Sequence, residues 1–140
     1  KRFQVALSFP GEYRPQIAAV AKHLSEALGQ ACVFYDNYYE AELARPDLDT
    51  YLQSIYHDDS ELVVVCLCAE YDQKDWCRLE WRAVRDLIKR RESAAIMPLR
   101  FDNTQIPGLF SIDGYVDIAQ RPADEVARLI LQRLEMNRKG

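Results

Sequence analysis

Hydrophobic and polar positions change period several times along the 140 residues. Phe3-Gln4-Val5-Ala6-Leu7-Ser8-Phe9 is mostly apolar and is closed by the breaker pair Pro10-Gly11, which predicts a first strand. Ile17, Val20, Ala21, Leu24 and Leu28 then recur at helical intervals, with Pro15 suited to a first turn and Gly29 to a C-terminal cap. Ala31 to Tyr35 predicts a second strand, and a helix beginning near Asp47 carries Leu48, Tyr51, Leu52 and Ile55. Glu61 to Cys68 is a third strand. Its core, Leu62-Val63-Val64-Val65, lacks the alternation of a half-buried strand, so it is expected to be covered on both faces and to lie centrally in a parallel sheet. Ala94 to Phe101 predicts a fourth strand, in which Pro98 marks an irregularity or an edge, and Tyr115 to Ile118 a short fifth. The final helix starts near Pro122, buries Val126, Leu129, Ile130 and Leu134, and is expected to fray at Arg138-Lys139-Gly140.

Alternating strands and helices require a parallel sheet, because parallel neighbours are joined by crossovers that cover its faces. The expected fold is therefore α/β: a flavodoxin-like five-stranded parallel sheet of order 2-1-3-4-5 with helices on both faces. Length and a hydrophobic content of 49% fit one domain over residues 1-140, and the start at Lys1 without a Met leads us to expect a domain excised from a longer multidomain protein. A formal net charge of -4 argues against nucleic acid as a partner. Lys89-Arg90-Arg91 closes a predicted helix, where cations complement the helix dipole. No apolar run reaches the roughly 18 residues of a membrane span, so no membrane partner is expected. Cys32, Cys66, Cys68 and Cys77 lie in or beside apolar segments without zinc spacing, which fits buried thiols in a reducing, cytoplasmic setting. His23 falls inside one amphipathic helix and His57 after another, and neither is expected to bind metal.

Ligands of open doubly wound sheets bind outside the carboxyl ends of the strands. The loops expected there start at Ser8-Phe9-Pro10-Gly11 and Cys68-Ala69-Glu70-Tyr71, with Asp36 ending the second strand beside them. The helix after the third strand is expected from Asp75 to about Arg91, with Leu79, Ala83, Val84, Leu87 and Ile88 on its apolar side. Glu80 falls in the middle of that apolar arc, three or four residues from Trp76, Cys77, Ala83 and Val84, none of which pairs with a carboxylate. A buried carboxylate without a partner costs several kcal/mol or changes its pKa. Periodicity leaves two readings open: an acid satisfied by another segment or by solvent, and an acid lining a pocket at the expected sheet edge.

These residues resemble the Toll/interleukin-1 receptor (TIR) domains. Phe3 to Phe9 is similar to the family's first strand, Val33-Phe34-Tyr35-Asp36 to its second, and Leu52, Ile55, Ser60, Val63-Val64-Val65, Tyr71 and Trp76-Cys77-Arg78-Leu79-Glu80 continue the match over essentially the whole chain. The most specific part is W-C-x-x-E after an apolar strand and a Tyr-containing loop. The resemblance implies an NAD+ nucleosidase that cleaves the nicotinamide-ribose bond, with NAD+ as substrate and no cofactor, and Glu80 as the catalytic residue. A preorganised carboxylate suits the positive charge that develops on the ribose. It further implies substrate contacts from Ser8, Phe9 and Asp36, and from Trp76, for which core packing is an equal reading. Expected partners are other TIR domains, in a homo-oligomer or filament, and a sensor domain of the parent protein in immune or anti-phage defence. The product, ADP-ribose or a cyclic form, stays open.

The chain departs from the family where many catalytic relatives carry Arg soon after the Ser-Phe pair: here it reads Pro10-Gly11-Glu12-Tyr13-Arg14. The loop from Asn37 to Pro46, which in the family helps control self-association, has no familiar form, and its tyrosines are either surface contacts or a cover for the loop. A non-catalytic TIR scaffold is the competing reading. A phosphoacceptor receiver fits poorly, since Ser8-Phe9 and Cys68-Ala69-Glu70 stand where acids are needed. G-x-G-x-x-G and G-K-S/T loops are absent, so an NAD+ site has to be built from side chains and loop ends.

Overall fold

A computed structural model describes residues 1–9, 13–67, 93–101 and 116–140. Strand β1 (Phe3–Ser8) leads to helix α1 (Arg14–Leu28), then β2 (Val33–Phe34), the short helix α2 (Glu40–Leu43), α3 (Leu48–Asp58) and β3 (Ser60–Leu67). β4 (Ile96–Arg100), β5 (Val116–Asp117) and the C-terminal helix α4 (Ala123–Lys139) complete the described elements. The five strands form one parallel sheet of order β2-β1-β3-β4-β5. The chain moves from β1 outward to β2 and returns past β1 to β3. Right-handed crossovers therefore put α1 and α3 on opposite faces, and α4, which packs along α1, shares the α1 face.

The unalternating apolar run sits where two-sided burial demands. β3 lies between β1 and β4, and every side chain from Leu62 to Cys66 is buried. Pro98 lies in β4 registered against Val65 of β3, one residue before the described pairing of β4 with β5 at Leu99↔Val116. Helix α1 ends at Gly29, whose φ of 94° and ψ of 141° suit glycine, and whose N–H donates to the Ser25 carbonyl. On the α3 side, Tyr56 is 1% exposed and donates its hydroxyl to the Leu7 carbonyl at 3.1 Å. Ser60 donates to the Ile55 carbonyl at 2.7 Å. Both buried hydroxyls are thus satisfied.

Several local expectations change. The second strand is shorter than Ala31 to Tyr35, because a 3-10 turn over Gln30–Cys32 follows Gly29. His57 lies within the last turn of α3 rather than after it. Cys66 is buried, but Cys32 is half-buried in the 3-10 turn, at the outer edge of the sheet. The stretch from Asn37 to Pro46 contains a 3-10 helix (Asp36–Tyr39) and α2, and its tyrosines act as a cover. Tyr39 packs against Phe3 and Phe34, with ring centroids 5.5 and 5.8 Å away, and Tyr38 lies edge-on to Tyr35 at 5.0 Å. The C-terminal turn is tied down, not frayed. Arg138 donates to Glu61 at 2.7 Å and to Gln4 at 2.6 Å, which fastens α4 to β3 and β1.

Candidate functional site

The carboxyl ends of β1 and β2 are adjacent, since the two strands pair in the register Val5↔Val33 and Ala6↔Phe34. Two residues beyond β2 stands Asp36, and just beyond β1 stands Phe9. Arg14, in the first turn of α1, reaches between them. Its Nη1 donates to Asp36 Oδ1 and its Nη2 to Oδ2, both at 2.7 Å, in a two-pronged ion pair. The guanidinium also lies over two rings, 5.1 Å from the Phe9 centroid and 5.7 Å from that of Tyr35. Those rings stack on each other at 5.8 Å with a 28° tilt. The Tyr35 hydroxyl accepts from Arg14 Nη1 and from Asn37 Nδ2, each at 3.3 Å.

A cation in the first turn sits at the unfavourable end of the helix dipole, and α1 has no acid there to offset it. Asp36 supplies the missing charge from the 3-10 helix that follows β2. The hydrogen bonds to its carboxylate raise the Arg14 pKa further above its already high value, so the guanidinium is permanently charged. The pair is accessible in part: the Arg14 side chain is 35% exposed and that of Asp36 18%. Phe9 and Tyr35 are 5% and 4% exposed, and Ser8, at the end of β1, is fully buried.

Phe9 and Asp36 are therefore brought together by Arg14 and Tyr35, with Ser8 beneath them. Trp76 and Glu80 lie outside the described residues, as do the basic stretch 89–91 and the segment 68–71. Tyr13, immediately before α1, stacks on Phe101 beyond β4 with centroids 3.8 Å apart, which ties the entrance of α1 to the far side of the same sheet edge. Further along that edge Arg100 pairs with Asp117, and Arg121 donates to the Asp117 carbonyl at 2.8 Å. Reading the sequence missed Arg14, although one signal pointed to it: an arginine opening a helix with no acid in its first turn needs a partner from elsewhere. Among the described residues no group of three His, Cys, Asp or Glu side chains is arranged to hold a metal ion. No described helix is long and apolar enough to cross a membrane.

The geometry defines a doubly wound α/β domain that gathers charged and aromatic side chains at the carboxyl edge of its sheet. The family model described as TIR domain matches residues 5–131, and the chain belongs to that family. It is 34% identical over 133 residues to the 3' cyclic ADP-D-ribose synthase AaTIR of Aquimarina amphilecti; the match covers 95% of this chain and 40% of that protein. The chain thus spans well under half the length of this curated relative. Among solved structures it is similar to the TIR domain of the Toll-related receptor TRR-2 from Hydra magnipapillata, with a TM-score of 0.66. That likeness covers 95% of this chain and 98% of the other at 13% identity, and it supports the fold alone.

Proposed function

We propose that this TIR domain cleaves NAD+ at the nicotinamide-ribose bond, with Glu80 as the catalytic carboxylate. The observation that carries the proposal is the identity of 34% across 95% of the chain to a relative named as a cyclic ADP-ribose synthase. Making an ADP-ribose ring from NAD+ begins with loss of nicotinamide, which leaves positive charge on the ribose. An ionised carboxylate beside that charge stabilises it in the transition state. Trp76 is the candidate aromatic surface for a flat heterocycle, and Ser8, Phe9 and Asp36, at the β1 and β2 ends, are the other candidate substrate contacts. Nicotinamide leaves as a neutral group with the bonding pair, and the ribose cation is captured by water, giving ADP-ribose, or by a hydroxyl of the same molecule, giving a cyclic product; in either case the capturing oxygen loses its proton to solvent.

Self-association with other TIR domains activates the enzyme within a longer cytoplasmic defence protein whose sensor domain supplies the trigger. The test is to incubate NAD+ with the assembled full-length protein and separate the products by liquid chromatography with mass detection. Nicotinamide in equal amount with ADP-ribose or a cyclic ADP-ribose is the expected result. NAD+ left intact by a demonstrably assembled protein overturns the proposal in favour of a scaffold that signals by TIR contacts alone.

A further inference from the structure

The Arg14–Asp36 pair asks for a purpose beyond neutralising one charge with another. A carboxylate presents about four lone-pair positions, and a two-pronged guanidinium occupies two of them. Asp36 therefore keeps acceptor capacity beyond the pair, and its side chain is 18% exposed at the carboxyl edge of the sheet. Its orientation is set from three directions. Both oxygens are held by Arg14, the guanidinium is held over the stacked Phe9 and Tyr35 rings, and the Tyr35 hydroxyl that takes a hydrogen bond from Arg14 takes another from Asn37. An ionised carboxylate fixed in this way is a strong acceptor for paired hydroxyl groups. In doubly wound dinucleotide-binding folds an acid beside the strand ends accepts from a ribose hydroxyl in the same way.

Resting on the NAD+-cleaving reading, we propose that Arg14 is a positioning residue: by clamping Asp36 over the Phe9–Tyr35 stack, it aims that carboxylate at the hydroxyls of a ribose in the substrate. Arg14 acts through Asp36 and need not touch the reacting atoms. Lysine carries the same charge but not the planar fork, so it holds the carboxylate less firmly.

The experiment uses the full-length protein in wild-type form and as Arg14→Gln, Arg14→Lys, Asp36→Asn and the Arg14→Gln/Asp36→Asn double variant. KM and kcat for NAD+ are measured alongside the binding of ADP-ribose by calorimetry and the unfolding midpoint. Arg14→Gln and Asp36→Asn are each expected to raise KM and weaken ADP-ribose binding by roughly 10-fold to 100-fold, the range of a hydrogen bond to a charged group, with a much smaller change in kcat. The double variant is expected to be no worse than Asp36→Asn alone, because the two residues act as one unit. Arg14→Lys is expected to fall between wild type and Arg14→Gln. A merely structural pair would shift the unfolding midpoint and leave KM and ADP-ribose binding alone; that result in a folded variant overturns the proposal. Additive losses in the double variant overturn it as well. Wild-type protein that binds ADP-ribose through Arg14 without releasing nicotinamide would sink the NAD+-cleaving reading but not this one, and wild-type protein that does neither would sink both.

Discussion

Acidification offers a sharp test of how the segment after β2 is fastened to the sheet. Glu42, on α2, accepts from both arms of Arg2 at 2.6 and 2.8 Å and from the Tyr51 hydroxyl. Arg45 lies 3.8 Å over the Tyr51 ring and donates to the Glu42 carbonyl at 3.1 Å. One carboxylate thus joins the start of β1, the whole of α2 and the first turns of α3. The hydrogen bonds from Arg2 lower its pKa from 4.5 to about 2. A depressed carboxylate pKa contributes stability that is fully present above the unfolded value near 4.5, fades as pH falls, and is gone below about 2. At about 1.36 kcal/mol per pH unit the shift sets an upper limit of about 3.4 kcal/mol. Arg2 is 44% exposed, and solvent screening reduces the expected contribution to about 1–2 kcal/mol. Urea unfolding of wild type and Glu42→Gln from pH 7 to pH 3 measures it. The variant should be less stable by that amount at pH 7, and the gap should narrow steadily between pH 4.5 and 3. A gap that stays constant over this range would refute the reasoning, because here the unfolded chain takes up a proton that the folded carboxylate, with its lowered pKa, does not, and this difference must erode the stability of the wild type alone.

Three further outcomes follow from the packing. Gly29→Ala should cost about 1–3 kcal/mol in denaturant unfolding purely through backbone strain, since a Cβ there meets nothing within 4 Å and the penalty comes from φ alone. Leu62→Ala, at a fully buried position of the central strand, should cost about 2–5 kcal/mol by the same measurement. Arg138→Ala should cost no more than about 1 kcal/mol despite its contacts with Glu61 and Gln4, because that pair is solvent-exposed, and hydrogen exchange of the last α4 turn should accelerate while the rest of the helix stays protected.

Much of the architecture was legible from residue order. The unbroken Leu62-Val63-Val64-Val65 run betrayed a strand covered on both faces, and Pro15 and Gly29 bracketed α1, because these signals depend on neighbours a few residues away. What escaped depends on partners distant in sequence. Arg14 meets Asp36 only because β2 folds beside β1, a juxtaposition set by strand order and not by any local pattern. Arg138 looked like a loose tail since nothing near it in sequence reveals Glu61 on β3. The turn that shortens β2 follows from Gly29 adopting a conformation that directs the chain into a 3-10 turn before it can extend. Position relative to the strand ends was enough to place Phe9 and Asp36 at the same sheet edge. Their mutual arrangement needed the guanidinium and the Tyr35 ring, both of which read from sequence as an ordinary helix start and a strand residue.

Glu80 is proposed to drive cleavage of NAD+, and nicotinamide release by the assembled full-length protein carrying Glu80→Gln, beside wild type at equal concentration, tests that role. Wild type is predicted to release nicotinamide steadily, and the variant to lose at least about 100-fold in rate with an unchanged unfolding midpoint, as expected when a preorganised charge is removed from a transition state. Equal release by a folded Glu80→Gln variant would contradict a catalytic role for Glu80.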